Sequence, residues 1–63
     1  MINQNTLRER TKKFIEELNL PISRFAKRIG IARESYYRWQ KGDFNFGEAR
    51  AEQIDRYLSK YGF

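Results

Sequence analysis

The stretch ISRFAKRIGIARESYYRWQKG, Ile22 to Gly42, decides the fold. Ile22, Phe25, Ala26 and Ile29 recur at helical spacing, which predicts a short helix with one buried stripe. Ser23, Arg24, Lys27 and Arg28 face away from that stripe. Gly30 follows the last periodic residue, where a left-handed conformation ends a helix and glycine adopts it cheaply. A second helix is predicted from about Ala32 to Lys41, stopped by Gly42. It places Ala32, Tyr36 and Trp39 on the core side, with Ser35 and Gln40 at the flanks. Its other side carries Arg33, Glu34, Tyr37, Arg38 and Lys41. Two helices crossing steeply over a short turn need a small residue at the crossing, and Ala26 supplies one. Ile31 is expected to pack inward from the turn.

Toward the N-terminus, Asn19-Leu20-Pro21 breaks a preceding helix, because proline lacks an amide donor and disfavours helix in the residue before it. That helix is predicted from a cap at Asn5 or Thr6 to about Asn19, with Glu9 at capping-box spacing from Thr6. Leu7, Thr11, Phe14, Ile15 and Leu18 make its apolar face. Arg8, Arg10, Lys12 and Lys13 are expected on a solvated face with local ion pairs, one or two of them within reach of a phosphate. Residues Met1 to Asn5 are expected to fray.

Toward the C-terminus, Asp43 to Phe46 reads as a loop whose Phe44 and Phe46 fold over the core. A last helix is predicted from near Gly47, with Asn45 as its cap. Ala51, Ile54, Leu58 and Tyr61 form its stripe and Tyr57 lies beside it. No alternating run suited to a strand appears. The expectation is one all-α domain over residues 1–63, a compact four-helix arrangement around the Ile22–Gly42 pair.

A domain of 63 residues buries only about 60% of its unfolded surface, so its core is marginal. One Trp, four Tyr and five Phe give that core large rings to bury. Cysteine and histidine are both absent, which removes disulfides, the usual zinc ligands and the commonest general base. There is no glycine-rich phosphate loop, and Ser35 and Ser59 have no histidine to activate them. Glu16 and Glu17 are adjacent and therefore diverge on a helix. No catalytic residues, metal or cofactor are expected, and the chain does not read as an enzyme. No apolar run approaches the roughly 20 residues of a membrane span, and the polar N-terminus lacks a signal-peptide pattern. A cytoplasmic protein with no membrane partner is expected.

Thirteen lysines and arginines against eight acids give a net charge of +5. A basic domain is drawn to polyanions, of which nucleic acid is the commonest in a cytosol. The Phe25-Ala26 pair, Gly30-Ile31 at the turn, Arg33, Arg38 and the Lys41-Gly42 ending resemble the Cro/cI-like (XRE) helix-turn-helix phage-repressor family. The resemblance runs from about Leu18 to Leu58. It implies a lambda-repressor-like fold whose second helix of the pair is a recognition helix lying in the major groove. Pro21 and Ile22 depart from the family's Ser/Thr and Gln at the start of the first helix of the pair. Ser23 or the helix N-terminal amides then take over the phosphate contact of that glutamine. Ala32 stands where a Ser or Thr cap is usual, a difference of ~1 kcal/mol. Tyr36 and Trp39 replace aliphatic residues, which implies a wider core pocket.

The resemblance and the outward chemistry together assign base contacts to Arg33, Glu34, Tyr37 and Arg38. Arginine grips guanine O6 and N7 with two hydrogen bonds. Glu34 can accept from cytosine N4 or pair with Arg38 one turn on. Tyr37 can pack on a thymine methyl, bond a phosphate, or simply lie on the surface. Ser23, Arg24, Lys27, Ser35, Lys41 and Asn45 are the candidates for backbone contacts. The function expected is a double-stranded DNA-binding transcriptional regulator, a repressor acting as a homodimer on an inverted repeat, with no small-molecule ligand. Two other readings stand beside it. One is a protein-binding module on the same scaffold, an antirepressor or a phage inhibitor of a host protein, contacting its partner through Phe44, Phe46, Tyr57, Tyr61 and Phe63. The other is an excision or architectural DNA-binding protein that bends its site.

Overall fold

A computed structural model describes residues 2–63 as four helices, with no strand among those residues. They are α1 Gln4–Glu17, α2 Ile22–Ile29, α3 Arg33–Lys41 and α4 Glu48–Lys60. The long helices α1 and α4 pack together, and the short helices α2 and α3 pack together. Among the described residues no helix is long and apolar enough to cross a membrane.

One core joins the two pairs. Leu7, Phe14 and Ile15 of α1 meet Phe25 and Ile29 of α2, Tyr36 and Trp39 of α3, and Ala51, Ile54 and Leu58 of α4. Phe14, Phe25 and Trp39 are the largest fully buried side chains. Removing a ring of that size from such a core costs roughly 3–5 kcal/mol. Ile2, Leu20, Ile22, Ile31, Phe44, Phe46, Tyr57 and Phe63 pack on the core from its edges. The buried hydroxyl of Thr11 donates to the Leu7 carbonyl oxygen at 2.7 Å, so a polar residue sits in the apolar stripe without an unpaired group.

Helix ends differ from expectation in several places. The cap of α1 is Asn3, whose side chain accepts from the Thr6 amide at 3.0 Å, and not Asn5 or Thr6. The fraying expected for Met1–Asn5 does not extend to Gln4 and Asn5, which are helical, and Met1 lies outside the described residues. The first helix ends at Glu17, short of the expected Asn19. Leu18 becomes its C-cap and Asn19 takes φ +50°, a left-handed position that asparagine tolerates. Leu18 is consequently 50% exposed and not part of the buried face. Ala32 caps α3 with an extended backbone and is exposed, not on the core side. Gly47, with no side chain to offer, caps α4 in place of Asn45. The expected left-handed stop at Gly30 is present, with φ +89°.

Candidate functional site

α3 is bolted to α1 along its inner side. The indole nitrogen of Trp39 donates to Gln4 Oε1 at 2.8 Å. Gln40 Nε2 donates to the Arg8 carbonyl oxygen and to the Tyr36 hydroxyl, at 3.0 and 3.1 Å. Arg8 reaches back to the Trp39 carbonyl oxygen, the Phe44 carbonyl oxygen and the Asn5 and Asn45 side chains. The Phe46 ring lies 4.9 Å from that of Trp39. These contacts take up the side of α3 that holds Tyr36, Trp39 and Gln40.

The other side is left to solvent. Arg33, Glu34, Tyr37, Arg38 and Lys41 are all exposed, and Ser35 is half-buried at the flank. Glu34 and Arg38 do not pair, since the one salt bridge among the described residues joins Arg10 to Asp55. Arg38 instead lies 5.7 Å from the Phe44 ring centroid, a cation–π contact that limits its rotamers. Tyr37 packs edge-on against Tyr36 at 5.8 Å and keeps 49% of its surface.

The net charge is concentrated on this part of the molecule. Between Ile22 and Gly42 stand six cations, Arg24, Lys27, Arg28, Arg33, Arg38 and Lys41, against one carboxylate, Glu34. The remaining seven cations and seven carboxylates cancel. Several of those other cations are also occupied internally. Arg10 bonds the Phe63 carbonyl oxygen, Asp55 and Ser59, and Arg50 donates to the Ile29 carbonyl oxygen at 2.6 Å. Arg8 and Arg10 were expected on a solvated face. Both are ties between distant parts of the chain.

The predicted residues fall into groups. Tyr37 and Lys41 share a hollow of about 400 Å³ with Ile22 at the start of α2 and with Lys12 and Glu16 of α1. Lys12 thus stands beside the α3 face, a placement hinted at only by its position flanking the Leu7–Thr11–Ile15 stripe. Arg24 and Lys27 line a different groove, with Arg28, between α2, the end of α1 and α4. Ser23 is exposed one residue into α2, whose cap Pro21 provides no side-chain hydrogen bond. Asn45 is exposed, but its Oδ1 accepts from Arg8 at 2.7 Å. Of the aromatics considered for a protein contact, Phe44, Phe46, Tyr57 and Phe63 are half-buried against the core and Tyr61 is exposed.

Sequence reasoning missed Arg50 and Gln53. Both donate to the Ile29 carbonyl oxygen, closing the C-terminal end of α2 beside the Gly30 turn. Spacing of three residues on one helix face was the available signal, without a target to attach it to. Among the described residues no cluster of acidic side chains is arranged as metal ligands would be. Burial, opposed by the Gln40 hydrogen bond, raises the Tyr36 phenol above its ordinary value. No family model, curated protein or solved structure matches the chain.

Proposed function

We propose that the chain is a sequence-specific double-stranded DNA-binding regulator, with α2, the Gly30 turn and α3 acting as a lambda-repressor-like helix-turn-helix. The observation that carries this reading is the location of charge. The whole net +5 falls between Ile22 and Gly42, and the outward side of α3 carries its cations outside the internal hydrogen bonds and salt bridge, Arg38 stacking on Phe44, while its inner side is fixed to α1. Arginines held outward on a fixed helix suit the major groove, where base edges are read. Arg33 and Arg38 grip guanine. Glu34, which is not paired with Arg38, is available to a cytosine amino group. Tyr37 supplies an apolar edge for a thymine methyl. Lys41, Lys12, Ser23, Arg24 and Lys27 meet phosphates, joined by the uncapped amides at the start of α2.

A nine-residue helix rises about 13 Å, which spans only about four base pairs of duplex. So short a site has little specificity in a genome, which favours two copies on an inverted repeat with half-site centres about 34 Å apart. Occupying an operator would repress by excluding polymerase. Selection of bound sites from random duplex DNA tests the reading. A palindrome with that spacing supports it, whereas recovery of no enriched sequence, with binding unchanged in Arg33→Ala and Arg38→Ala, overturns it.

A further inference from the structure

A broad surface groove lies on another side of the molecule. It has a volume of about 750 Å³ and is formed by the end of α1, the outward side of α2 and the end of α4. Its floor is apolar. Phe14 meets Tyr57 and Tyr61 with ring centroids 5.5 Å from each, and Leu18 and Leu20 close one side. Among the described residues three large apolar side chains are markedly exposed, and two of them, Leu18 at 50% and Tyr61 at 47%, line this groove. Its rim is cationic, with Arg24, Lys27 and Arg28. A smaller hollow continues it past Arg28 and Tyr61 to Lys60. No carboxylate lines either hollow.

We propose that this groove docks an acidic amphipathic segment of a different protein. A large apolar side chain of the partner sits over Tyr57 and Tyr61 beside Leu18, and flanking carboxylates meet Arg28 and Lys60. The mode is a helix in a groove, with anchors one turn apart. Charge decides the occupant. A twofold contact with a second copy would set Arg24, Lys27 and Arg28 against the same cations, and like charges facing across an interface are costly. An aliphatic wall of Leu18 and Leu20 offers no hydrogen bond to a nucleobase, which disfavours a single-stranded nucleic acid. The outward side of α3 takes no part in the groove, and of its rim only Arg24 and Lys27 are shared with the proposed phosphate contacts, so the domain leaves Arg28 and Lys60 to the partner while DNA is held. Its role would then be to bring an acidic protein to the operator.

The test is a titration of the full chain with a labelled 16-residue helical probe, carrying Leu and Phe anchors one turn apart flanked by Glu. Its Lys-for-Glu counterpart and an oligothymidylate serve as competitors. The Glu probe should bind, and Leu18→Ala, Tyr61→Ala and Arg28→Glu should each weaken it roughly tenfold. Leu18→Ala and Tyr61→Ala should leave duplex DNA affinity unchanged, which separates this site from the DNA face. Leu18→Ala trims a half-exposed side chain and keeps the test readable even if Tyr61→Ala loosens the C-terminus. Equal binding of the Lys probe, displacement by oligothymidylate, full-strength binding to Leu18→Ala, or concentration-dependent dimers lost in Leu18→Ala would each overturn the proposal. The peptide titration needs no DNA, so failure of the DNA reading leaves it standing or falling independently.

Discussion

The guanidinium of Arg8 donates from Nε to the Trp39 carbonyl oxygen and lies 5.5 Å from the centroid of the Trp39 ring. One side chain of α1 thereby holds the carbonyl end of α3, and its Nη2 also holds the following loop at Phe44 and Asn45. Hydrogen bonds from a charged donor are worth more than neutral ones, and removing the donor leaves half-buried carbonyls to find water. Arg8→Ala should therefore lose about 2 kcal/mol of stability, a fall of roughly 8–16 °C in Tm for a domain this small. Arg38→Ala, which removes only an exposed stacking contact, should stay within about 0.5 kcal/mol of wild type. Thermal unfolding of the two variants in parallel checks this, and equal stabilities would show that Arg8 is the solvated cation its position in the sequence implies.

That pair also marks where sequence reading stops. Phe25, Ala26, Ile29, Tyr36 and Trp39 were legible because burial on a helix leaves a periodic trace. Gly30 was legible because a left-handed stop selects for it. Arg8 and Arg10 were not, since all their partners but Asn5 lie 31 to 53 residues away and a hydrogen bond across the fold leaves no local pattern. Leu18 kept the period of α1 but lost its burial when the helix closed at Glu17. Ala32 and Asn45 were misplaced by one and two residues of helix boundary, where caps compete closely. The outward residues of α3 were identified as exposed from spacing alone. The concentration of charge around them gained meaning only once Arg8, Arg10 and Arg50 were found to be occupied inside the fold.

The Gly30 turn yields a prediction about backbone rather than packing. A Cβ built at Gly30 would meet Arg50 Nη1 at 3.6 Å, an ordinary contact. The φ of +89° is the obstacle, costing an L side chain about 1–2 kcal/mol. Gly30→Ala should lose that much, and Gly30→Asn less, because asparagine tolerates the region. Gly47 is the contrast, with φ −63° and open space around it. Gly47→Asp should gain up to about 1 kcal/mol by capping α4 and complementing its dipole. Urea unfolding of the three variants checks the ranking, and a Gly30→Asn no better than Gly30→Ala would point to sterics instead.

On the proposed DNA face, Arg33→Ala and Arg38→Ala should each cost about 1–3 kcal/mol on the selected site and relax base preference at one position. Lys41→Ala should weaken all sequences alike and lower the salt slope by about one. Arg38 starts from a side chain already held over Phe44, so Phe44→Leu should reproduce part of the Arg38 loss without touching DNA. Binding isotherms at several salt concentrations separate these effects. A Lys41→Ala variant that changes base preference would mean that α3 lies in the groove at a different angle.

Tyr36 gives the fold a response to alkali. Its ring is buried against Phe25 and Trp39, and burial is the main reason its phenol titrates above the ordinary value. An acid with a raised folded pKa gives up its proton more readily when unfolded. Below the ordinary phenolic value of about 10 both states hold the proton and stability is unaffected. Above it the unfolded chain ionises first, so the unfolding free energy falls as pH rises through the folded pKa. Tyr36→Phe loses the hydrogen bond that Gln40 donates to the hydroxyl, so it should be less stable than wild type by about 1 kcal/mol near pH 8. It should also be less sensitive to alkali, because it lacks the buried phenol whose ionisation favours the unfolded chain. The two stability curves, measured by urea unfolding from about pH 8 to about pH 11, should therefore converge. Parallel curves would mean that the Tyr36 hydroxyl is hydrated in the folded protein and that the α1–α3 contact at Gln40 is open to water.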